Sequence, residues 1–296
     1  MGRGLCNASP MQDRLRAYIA LTRLDRPIGI YLVLWPTLWA LWFAAGGLPP
    51  WDVLLVFVLG TVLMRSAGCA INDYADRGWD GDVERTRERP LATGRIQPWE
   101  AVAVFVALSL LALLLVLQLN TLTILLAIPA AALAASYPYA KRYTYLPQAH
   151  LGLAFAWGTP MAFAAVSGGV PPLAWLLLLV TTLWAIAYDT FYAMVDREDD
   201  LKVGIKSAAI LFGRHDRLVT ALLQLAVLAL LALAGLWAGR GWPYAVGLLL
   251  AAGLAGWQQW LIRARGRAEC FRAFLNNHWF GAAVFAGLAA DYALRG

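Results

Sequence analysis

The chain has 296 residues, of which 61% are hydrophobic and only 14% charged, and its formal net charge is +6 at pH 7. A water-soluble fold cannot bury so much apolar surface, so the composition excludes an ordinary soluble globular protein and indicates a polytopic membrane protein. The three cysteines have no CxxC spacing and the three histidines are scattered singly. Neither a disulfide framework nor a zinc site is therefore expected.

Nine apolar windows, each of about 20 residues, are long enough to cross the hydrocarbon core of a bilayer. They predict an all-α polytopic membrane protein that forms a single domain over residues 1–296. The predicted transmembrane helices cover residues 28–46, 52–72, 99–117, 121–139, 148–167, 172–192, 217–238, 243–262 and 276–294. The first residues are too charged for a signal peptide, so we expect no cleaved leader.

Residues 1–27 are predicted to form an N-terminal segment at the cytoplasmic interface. One face of a helix here would carry Leu15, Tyr18, Ile19 and Thr22, with Arg14, Arg16 and Arg23 placed to meet lipid head groups. A frayed basic tail explains the same residues equally well. The sequence leaves these two interpretations open.

Charge asymmetry sets the orientation of the predicted helices. Of the 24 Lys and Arg residues, all but Arg65, Arg240 and Arg295 fall on one side, in the N-terminal segment or in alternate connections. The positive-inside rule therefore predicts a cytoplasmic N-terminus and a periplasmic C-terminus in a bacterial inner membrane. This topology and anionic lipid account for the net charge of +6, so no nucleic-acid partner is expected.

Most of the 18 acidic residues fall in two short stretches, and each stretch follows an even-numbered helix. Their regularly spaced members are Asn72, Asp76 and Asp80 in the first stretch and Tyr192, Asp196 and Asp200 in the second. A spacing of four residues places side chains on one helical face. Crowded carboxylates repel one another unless a cation lies among them. Each stretch therefore predicts a row of oxygen ligands for a metal ion at the cytoplasmic end of its helix.

The two acidic stretches share the pattern D-R-x-x-D, which indicates a weak internal repeat that brings both to one site. Oxygen ligands without His or Cys are typical of Mg²⁺, which bridges carboxylates to substrate phosphates. A bound phosphate also needs neutralising cations. The candidates are Arg77 and Arg197 within the repeats, Lys202 and Lys206 beyond the second, and Arg26 and Lys141 at the same cytoplasmic level. Solvated loops of mixed charge are the alternative interpretation.

A metal-bound phosphate at one end of a membrane bundle suits an amphiphile with a phosphate head and an apolar tail. An isoprenyl diphosphate has this form. Metal ions would stabilise the departing diphosphate. The allylic carbocation left behind would need an apolar cavity edged with aromatic faces. Aromatic residues are abundant near the two stretches, although such residues also anchor helices at membrane interfaces.

Four segments resemble those of the UbiA superfamily of intramembrane aromatic prenyltransferases, most closely its bacterial 4-hydroxybenzoate polyprenyltransferases. They are RPIGIYLVLWPTLWALW at 26–42, NDYADRGWDGDVERTRERPLATG at 72–94, YPYAKRYTYLPQ at 137–148 and YDTFYAMVDREDDLKVGIKSAAILFG at 188–213. The resemblance extends through nearly the whole chain. It implies nine helices around a central cavity that opens laterally to lipid, with the Asp motifs under cytoplasmic cap regions.

The resemblance also implies an activity. The expected reaction transfers a polyprenyl group from polyprenyl diphosphate to the ring carbon ortho to the hydroxyl of 4-hydroxybenzoate. Diphosphate is released, and the product serves ubiquinone biosynthesis. The expected cofactor is Mg²⁺. The catalytic, metal-binding residues implied by the resemblance are Asn72, Asp76, Asp80, Asp196 and Asp200, with Tyr192 beside them.

Two further roles concern the aromatic acid: binding of its carboxylate and removal of a proton from its ring. Arg142 matches the position that the family uses for the carboxylate, and a planar guanidinium suits a carboxylate. Anchoring of Arg142 to lipid head groups is the other interpretation. The base that removes the ring proton is open among Asp73, Asp189 and Asp199, because spacing does not choose between them.

Two alternative functions share these features. A prenyltransferase of the same superfamily that uses a naphthoate, homogentisate, tetrapyrrole or haem acceptor would keep both Asp motifs. A membrane transporter with an internal repeat is the alternative from another class of protein. Transporter sites lie near the bilayer midplane, whereas these carboxylates gather at helix ends, so the sequence favours the enzyme.

Overall fold

The computed structural model describes residues 10–295, which form helices joined by turns. The helices are α1 (Pro10–Leu21), α2 (Ile28–Ala45), α3 (Trp51–Asp76), α4 (Pro98–Val116), α5 (Thr121–Ser136), α6 (Ala140–Tyr143), α7 (Pro147–Ala156), α8 (Gly158–Ser167), α9 (Pro172–Val203), α10 (Ala208–Phe212), α11 (Asp216–Trp237), α12 (Trp242–Leu261) and α13 (Arg267–Arg295). The start of the predicted N-terminal segment, residues 1–9, lies outside the described residues. The all-α expectation is confirmed for residues 10–295.

Within residues 10–295, eight helical segments are long and apolar enough to cross a membrane. The ninth predicted helix corresponds to α13, which has 29 residues but carries Asn276, Asn277, His278 and Asp291 among its apolar ones. These polar side chains have partners inside the bundle. Gln258 donates to Asn276 at 3.0 Å, for example, and Trp184 donates to Asn277 at 3.0 Å. Internal hydrogen bonds therefore allow a less apolar helix to take part in the bundle.

The fifth predicted span is broken into α7 and α8 at Trp157. Proline has no backbone N–H, so Pro160 cannot donate to the carbonyl of Ala156 four residues earlier. The hydroxyl of Thr159 donates to that carbonyl instead, at 2.7 Å. The break follows from this proline, which the hydrophobicity pattern alone does not register.

The sixth predicted span ends at residue 192, but α9 continues to Val203 and has 32 residues. It ends at Gly204, whose φ of +75° is left-handed and suits glycine. The N–H groups of Gly204 and Ile205 both donate to the carbonyl of Asp200. The second acidic stretch is therefore helical throughout, and its residues at four-residue intervals share one face.

The centre of the bundle is an aromatic core between α2, α9 and α13. Trp39, Trp184 and Phe280 are fully buried. The ring centroids of Trp39 and Trp184 lie 5.3 Å apart, and those of Trp184 and Phe280 lie 5.5 Å apart. The indole of Trp39 also donates to the carbonyl of Gly281 at 3.2 Å. This core fixes α9, which carries the second acidic stretch, against the helices on either side of it.

The N-terminal helix α1 is tied to the rest of the fold. Ala17 and Leu21 are buried, while Leu15 is 60% exposed. Tyr18 donates to Glu100 on α4 at 2.6 Å, and Arg14 forms an ion pair with the same carboxylate. The predicted helix is confirmed, but its buried face is shifted, and Arg14 pairs with protein rather than only with lipid head groups.

The closest helix pair, α12 and α13, predicts a test of the packing. A Cβ on Gly287 would lie 2.7 Å from the Cα of Gly247 and 3.0 Å from the carbonyl of Pro243. Gly287→Ala must therefore push two backbones apart, and we expect it to lower the free energy of unfolding by about 1–3 kcal/mol. Thermal unfolding of the purified protein in detergent measures the effect.

The matched control is Gly253→Ala on α12, because a Cβ there meets open space. Its free energy of unfolding should stay within about 1 kcal/mol of wild type. Any change should be an increase, because alanine has a higher helix propensity than glycine. Equal stability losses in the two variants would contradict the close approach.

Candidate active site

The first acidic stretch lies at the C-terminal end of α3. Asn72 and Asp76 occupy its last two turns, and the amide of Asn72 donates to Asp76 at 3.1 Å. Asp80 lies beyond the helix, in the segment of turns between α3 and α4, residues 77–97, which we name the cap segment. The backbone N–H of Asp80 still donates to the carbonyl of Asp76 at 3.1 Å. The four-residue register therefore continues for one turn past the end of α3.

The second acidic stretch lies at the C-terminal end of α9. Tyr192 and Asp196 line the same cavity as Asp200 one turn further on, and both aspartates are buried. Arg197 on a neighbouring face points away and forms an ion pair with Asp216 at 2.5 Å. Arg265 pairs with Asp216 as well, at 2.8 Å. This clamp ties the end of α9 to the start of α11 and to the α12–α13 turn.

Both stretches line one cavity of about 760 Å³. Its walls include all five predicted metal-binding residues: Asn72, Asp76, Asp80, Asp196 and Asp200. Eight acidic and eight basic side chains line it in total, so their formal charges cancel. Residues more than 100 positions apart in the sequence thus meet at one end of the bundle, as the internal repeat predicts.

Basic side chains lie between the carboxylates. Arg85 makes hydrogen bonds of 2.6–3.0 Å with the carboxylate of Asp196 and also contacts the Tyr192 hydroxyl. Arg89 lies 3.0 Å from both Asp73 and Asp80 and 3.9 Å from Asp76.

The cap segment therefore places Arg85 against the second acidic stretch and Arg89 against the first. Lys141, from α6, also donates to Asp76 in the first stretch.

The neighbouring charges and burial shift the pKa values of Asp80 and Arg89 in the cap segment. Burial raises the pKa of Asp80 to about 6, repulsion from Asp76 and Asp73 adds to the rise, and Arg89 opposes it. Burial lowers the pKa of Arg89, but the carboxylates of Asp73 and Asp80 outweigh it and raise that pKa above its usual value. These carboxylates therefore need cations to remain ionised together.

Arg65 is a basic residue inside a predicted transmembrane helix, and in the structure it lines the cavity on the side away from the acidic stretches, where a second cavity adjoins it. It lies on α3, seven residues before Asn72, and its guanidinium carbon is 5.5 Å from the centre of the Phe155 ring. One guanidinium nitrogen contacts Cys69, while Nε is buried without a hydrogen-bond partner. Within residues 10–295 no ion pair is formed by Arg65, so its charge faces the cavity uncompensated by a direct partner.

The structure separates the predicted phosphate-binding cations into two groups. Arg26, Lys141 and Lys206 line the cavity. The other three lie outside its walls: Arg77 covers the ring of Tyr74, Arg197 pairs with Asp216, and Lys202 is 73% exposed beside Asp199. In the repeat D-R-x-x-D the arginine falls on a different helical face from the aspartates, which explains why Arg77 and Arg197 point away.

Arg142, predicted to bind the carboxylate of an aromatic acid, is exposed and lies outside the cavity walls. Its guanidinium donates to the carbonyl of Ala75 at 2.8 Å and lies 5.2 Å from the centre of the Trp79 ring. Lys141, its neighbour, turns inward to Asp76 instead. Arg142 therefore holds the cap segment and the end of α3, and the structure does not bring it to the site.

The three candidate bases differ in their surroundings. Asp73 is 1% exposed, and its carboxylate accepts two hydrogen bonds from Arg23 at 2.9 and 3.0 Å. Asp199 pairs at 3.0 Å with Arg267, which lines the cavity, but Asp199 itself does not line it. Asp189 lines the cavity, and within residues 10–295 the structure records no ion pair at its carboxylate. Sequence spacing could not make this distinction.

A second, largely apolar cavity of about 410 Å³ adjoins the first. Arg65, Tyr137 and Phe155 line both cavities. The rest of its wall comes mainly from α3, α4, α5 and α8, including Phe57, Phe105, Leu110, Ala131 and Met161, with smaller contributions from α2 and α7. Outer residues of α4 such as Leu110 and Leu114 are 55% and 60% exposed, so the apolar cavity lies next to the lipid-facing side of the bundle.

The donor set fits a hard divalent cation that is shared with a phosphate. Within residues 10–295, no three His, Cys, Asp or Glu side chains are arranged to hold a metal ion by themselves. Mg²⁺ needs only one or two carboxylates when phosphate oxygens complete its shell. Oδ1 of Asp76 is buried and has no hydrogen-bond partner. That oxygen is available to a metal ion. The other candidate ligands also supply oxygen atoms, including Asn72, whose amide nitrogen donates to Asp76.

Comparison with known proteins agrees with this geometry. Residues 33–281 match the UbiA prenyltransferase family. The chain is 59% identical to the 4-hydroxybenzoate octaprenyltransferase of Methylococcus capsulatus over 97% of this chain and 98% of that protein. It is 60% identical to the protein of the same name from Nitrosococcus oceani over 95% of this chain and 99% of that protein.

Solved structures share the fold. A UbiA homolog from Aeropyrum pernix K1 has a TM-score of 0.79 and 26% identity, over 88% of this chain and 97% of that chain. A UbiA homolog from Archaeoglobus fulgidus, solved with GPP and Mg²⁺ bound, has a TM-score of 0.68 and 19% identity, over 92% and 99% of the two chains. The latter similarity supports the fold of this chain.

Arg89 predicts a metal-dependent stability. Arg89→Leu leaves Asp73, Asp76 and Asp80 without the cation between them, so we expect the free energy of unfolding to fall by about 3–5 kcal/mol. Added Mg²⁺ should restore stability in this variant by more than it stabilises wild type, because the ion binds the crowded carboxylates of the folded state. Thermal unfolding with and without MgCl₂ measures both effects.

Arg87→Leu is the matched control, since Arg87 is 62% exposed in the same cap segment and, within residues 10–295, its one ion pair is with the exposed Glu88. It should behave like wild type in both conditions. Absence of any Mg²⁺-dependent stabilisation in both variants and in wild type would contradict a metal site among these carboxylates, and an equal gain in the two variants would contradict the role of Arg89 as the cation that Mg²⁺ replaces.

Proposed function

The chain belongs to the UbiA prenyltransferase family, and from this premise we propose that it prenylates 4-hydroxybenzoate in ubiquinone biosynthesis. A polyprenyl group passes from polyprenyl diphosphate to the ring carbon ortho to the hydroxyl, and diphosphate is released. The relatives that share 59–60% identity over nearly the whole chain carry that activity in their name. The single observation that carries the proposal is that both acidic stretches and their cations line one cavity.

The diphosphate is assigned to the cytoplasmic end of this cavity. Asp76 and Asp80 from one side and Asp196 and Asp200 from the other would hold Mg²⁺, with Asn72 beside them. The cations that line the cavity and would bind phosphate oxygens are Arg26, Arg85, Arg89, Lys141 and Lys206. Arg85, Arg89 and Lys141, which pair with the carboxylates in this structure, would then pair with phosphate oxygens. Each buried carboxylate would thus keep a cationic partner.

The chain's own residues then govern bond cleavage. Bound Mg²⁺ supplies Lewis-acid stabilisation of the leaving diphosphate. Arg85, Arg89 and Lys141 stabilise the charge that develops on its oxygens. Below them, Tyr188, Tyr192 and Phe155 line the cavity and present aromatic faces to the allylic cation while excluding water from it. The adjoining apolar cavity accommodates the prenyl tail beside the lipid.

Arg65 is the residue proposed to bind the carboxylate of 4-hydroxybenzoate. It lines the cavity, its Nε lacks a hydrogen-bond partner, and it forms no ion pair within residues 10–295. A carboxylate from the substrate would give this buried charge a partner, and a guanidinium binds carboxylates through two parallel hydrogen bonds. Arg142 is replaced in this role because it lies outside the cavity and holds the carbonyl of Ala75.

The protein is a multi-pass membrane protein, and its orientation forms part of the proposal. The acidic stretches, α1, the cap segment and α10 lie at the end of the bundle that carries most of the Lys and Arg residues. The positive-inside rule assigns this end to the cytoplasm. Water-soluble Mg²⁺ and 4-hydroxybenzoate would then enter from the cytoplasm, while the prenyl diphosphate enters from the bilayer of the inner membrane.

Metal-ligand variants test the reaction. We expect purified protein in detergent to form prenylated 4-hydroxybenzoate from 4-hydroxybenzoate and a polyprenyl diphosphate with Mg²⁺. Asp76→Ala and Asp196→Ala should each abolish turnover, since each removes a metal ligand from a different side of the site. Product formation is followed by chromatography. Asp82→Ala, an exposed residue of the cap segment, is the control that should remain active, and full activity in either ligand variant would exclude it as an essential ligand.

A pair of arginine variants tests the carboxylate assignment. Arg65→Met should raise the KM for 4-hydroxybenzoate by about 10- to 100-fold, because a charge-assisted hydrogen-bonded pair is lost. The KM for polyprenyl diphosphate should change much less. Arg142→Met should leave the KM for 4-hydroxybenzoate near that of wild type. The opposite ranking of the two variants would return the carboxylate to Arg142.

A further inference from the structure

We propose that Asp189 is the catalytic base, the carboxylate that accepts the phenol proton of the aromatic substrate. This inference rests on the proposed function, since it assigns a further chemical role within the same cavity. The sequence leaves Asp73, Asp189 and Asp199 open for removal of the ring proton; here the released diphosphate takes that proton, and Asp189 takes the phenol proton. Four features of the described residues support it: depth, freedom from an arginine ion pair, a neighbouring amide, and a place in the same cavity wall as Arg65.

Asp189 and Arg65 both lie deeper in the bundle than the acidic stretches. Arg65 precedes Asp76 by 11 residues on α3, and Asp189 precedes Asp196, the equivalent of Asp76 in the repeat, by seven residues on α9. These intervals are close to three and two helical turns, so each side chain shares a face with its acidic stretch, Arg65 about 16 Å and Asp189 about 10 Å deeper. Both line the same cavity. A carboxylate and, about one turn deeper, a cation therefore face this cavity below the place assigned to the diphosphate.

This pairing fits an acceptor with two different polar ends. 4-Hydroxybenzoate carries a carboxylate and, on the opposite side of the ring, a hydroxyl. With its carboxylate on Arg65, the molecule would direct its hydroxyl toward Asp189, which lies nearer to the acidic end of the same cavity. Arg65 and Asp189 interact electrostatically but form no ion pair within residues 10–295. Neither charge is therefore committed to the other, and each is available to one end of the acceptor.

The other candidate bases are already engaged. Both oxygens of Asp73 accept hydrogen bonds from Arg23, and Arg89 pairs with the same carboxylate. Asp199 does not line the cavity, and it is held by Arg267 from the cavity wall. Strong pairing with arginine lowers the basicity of a carboxylate. Asp189 lacks such a partner and is therefore the strongest proton acceptor of the three.

Gln148 is the polar neighbour of the Asp189 carboxylate. It lines the same cavity, interacts with Asp189, and accepts the backbone N–H of Ala208 at its Oε1 at 3.0 Å. Gln148 is 5% exposed and lies at the start of α7. Because its carbonyl is committed to Ala208, the part of Gln148 that can turn toward Asp189 is the amide NH₂ group. A neutral donor orients the carboxylate without neutralising it, which suits a base that must take up a proton.

The proton balance of the reaction closes with Asp189 as a shuttle. The carbon–oxygen bond of the prenyl diphosphate breaks, and its electron pair leaves on diphosphate. The ring carbon ortho to the hydroxyl forms the new carbon–carbon bond while Asp189 takes the phenol proton, which leaves a dienone. The hydrogen on that ring carbon is lost as a proton to the released diphosphate, and Asp189 returns its proton to the oxygen. The phenol and the carboxylate are both regenerated.

Asp189→Asn tests the role with two acceptors. We expect kcat with 4-hydroxybenzoate to fall by about 10²- to 10⁴-fold, the usual contribution of a general base. The KM for polyprenyl diphosphate should stay near the wild-type value. With 3-fluoro-4-hydroxybenzoate, whose phenol is more acidic, the ratio of variant to wild-type kcat should rise, because an acidic phenol depends less on the base. Comparing ratios cancels the effect of fluorine on ring reactivity.

Two further variants complete the test. Gln148→Leu keeps the carboxylate but releases its orientation, so it should lower kcat with 4-hydroxybenzoate and show the same smaller loss with the fluorinated acceptor. This variant decides the question if Asp189→Asn does not fold. Asp199→Asn should retain kcat within a few-fold of wild type, since Asp199 lies outside the cavity.

The outcomes separate the inference from the function on which it rests. Wild-type protein that forms no prenylated 4-hydroxybenzoate contradicts the proposed function. Active wild type together with nearly full kcat in Asp189→Asn overturns the inference alone. A loss that is equal for both acceptors and appears mainly as a higher KM for them also overturns it, because Asp189 would then bind the substrate without taking its proton.

Discussion

Buried carboxylates at the ends of two helices impose the constraint on which this protein depends. Asp73, Asp76 and Asp80 crowd one side of the cavity, and Asp196 and Asp200 crowd the other. At low effective dielectric such groups stay ionised only when cations lie among them. The chain meets this requirement with Arg85, Arg89 and Lys141. Metal ions and a diphosphate can replace that arrangement without leaving an unpaired charge, because they enter as a nearly neutral unit.

The bundle determines what lies at each depth below these carboxylates. α3 and α9 both continue inward from the acidic ends, and they present Asp189 about two turns deeper and Arg65 about three turns deeper. The apolar cavity adjoins this region at Arg65, Tyr137 and Phe155. In the proposed reaction, the diphosphate, the aromatic ring and the prenyl tail would occupy these successive regions. The aromatic core around Trp184 and the clamp at Asp216 hold α9 in the register that this order requires.

Periodicity and composition predict much of this arrangement. The apolar windows locate the membrane helices, and the four-residue spacing of Asp76, Asp196 and their neighbours predicts which side chains share a site. What the sequence misses depends on tertiary contacts. Arg85 and Arg89 look like ordinary loop charges until the cap segment folds over the cavity. Arg65 looks like an isolated charge within a span, although an ionisable residue inside a membrane helix is itself a signal of function.

Arg142 and Arg77 lie near the site in sequence but outside the cavity walls. Both adjoin residues of the site, yet neighbouring positions on a helix face different directions. Arg142 points to the carbonyl of Ala75 and Arg77 to the ring of Tyr74. Proximity in sequence does not predict which side chains face the cavity, whereas helical register, applied from the acidic stretches inward, indicates Arg65 and Asp189.

The central claim is that two acidic helix ends hold one metal-bound diphosphate between them. The most direct measurement is an experimental structure of the protein with Mn²⁺ and a non-hydrolysable thiolo analogue of a prenyl diphosphate, with the metal positions taken from anomalous scattering. The account predicts metal ions bridging the diphosphate to Asp76 and Asp80 on one side and to Asp196 and Asp200 on the other, with Arg85 moved from Asp196 to phosphate. Metal ions bound to only one of the two acidic stretches, with Arg85 still on Asp196, would contradict it.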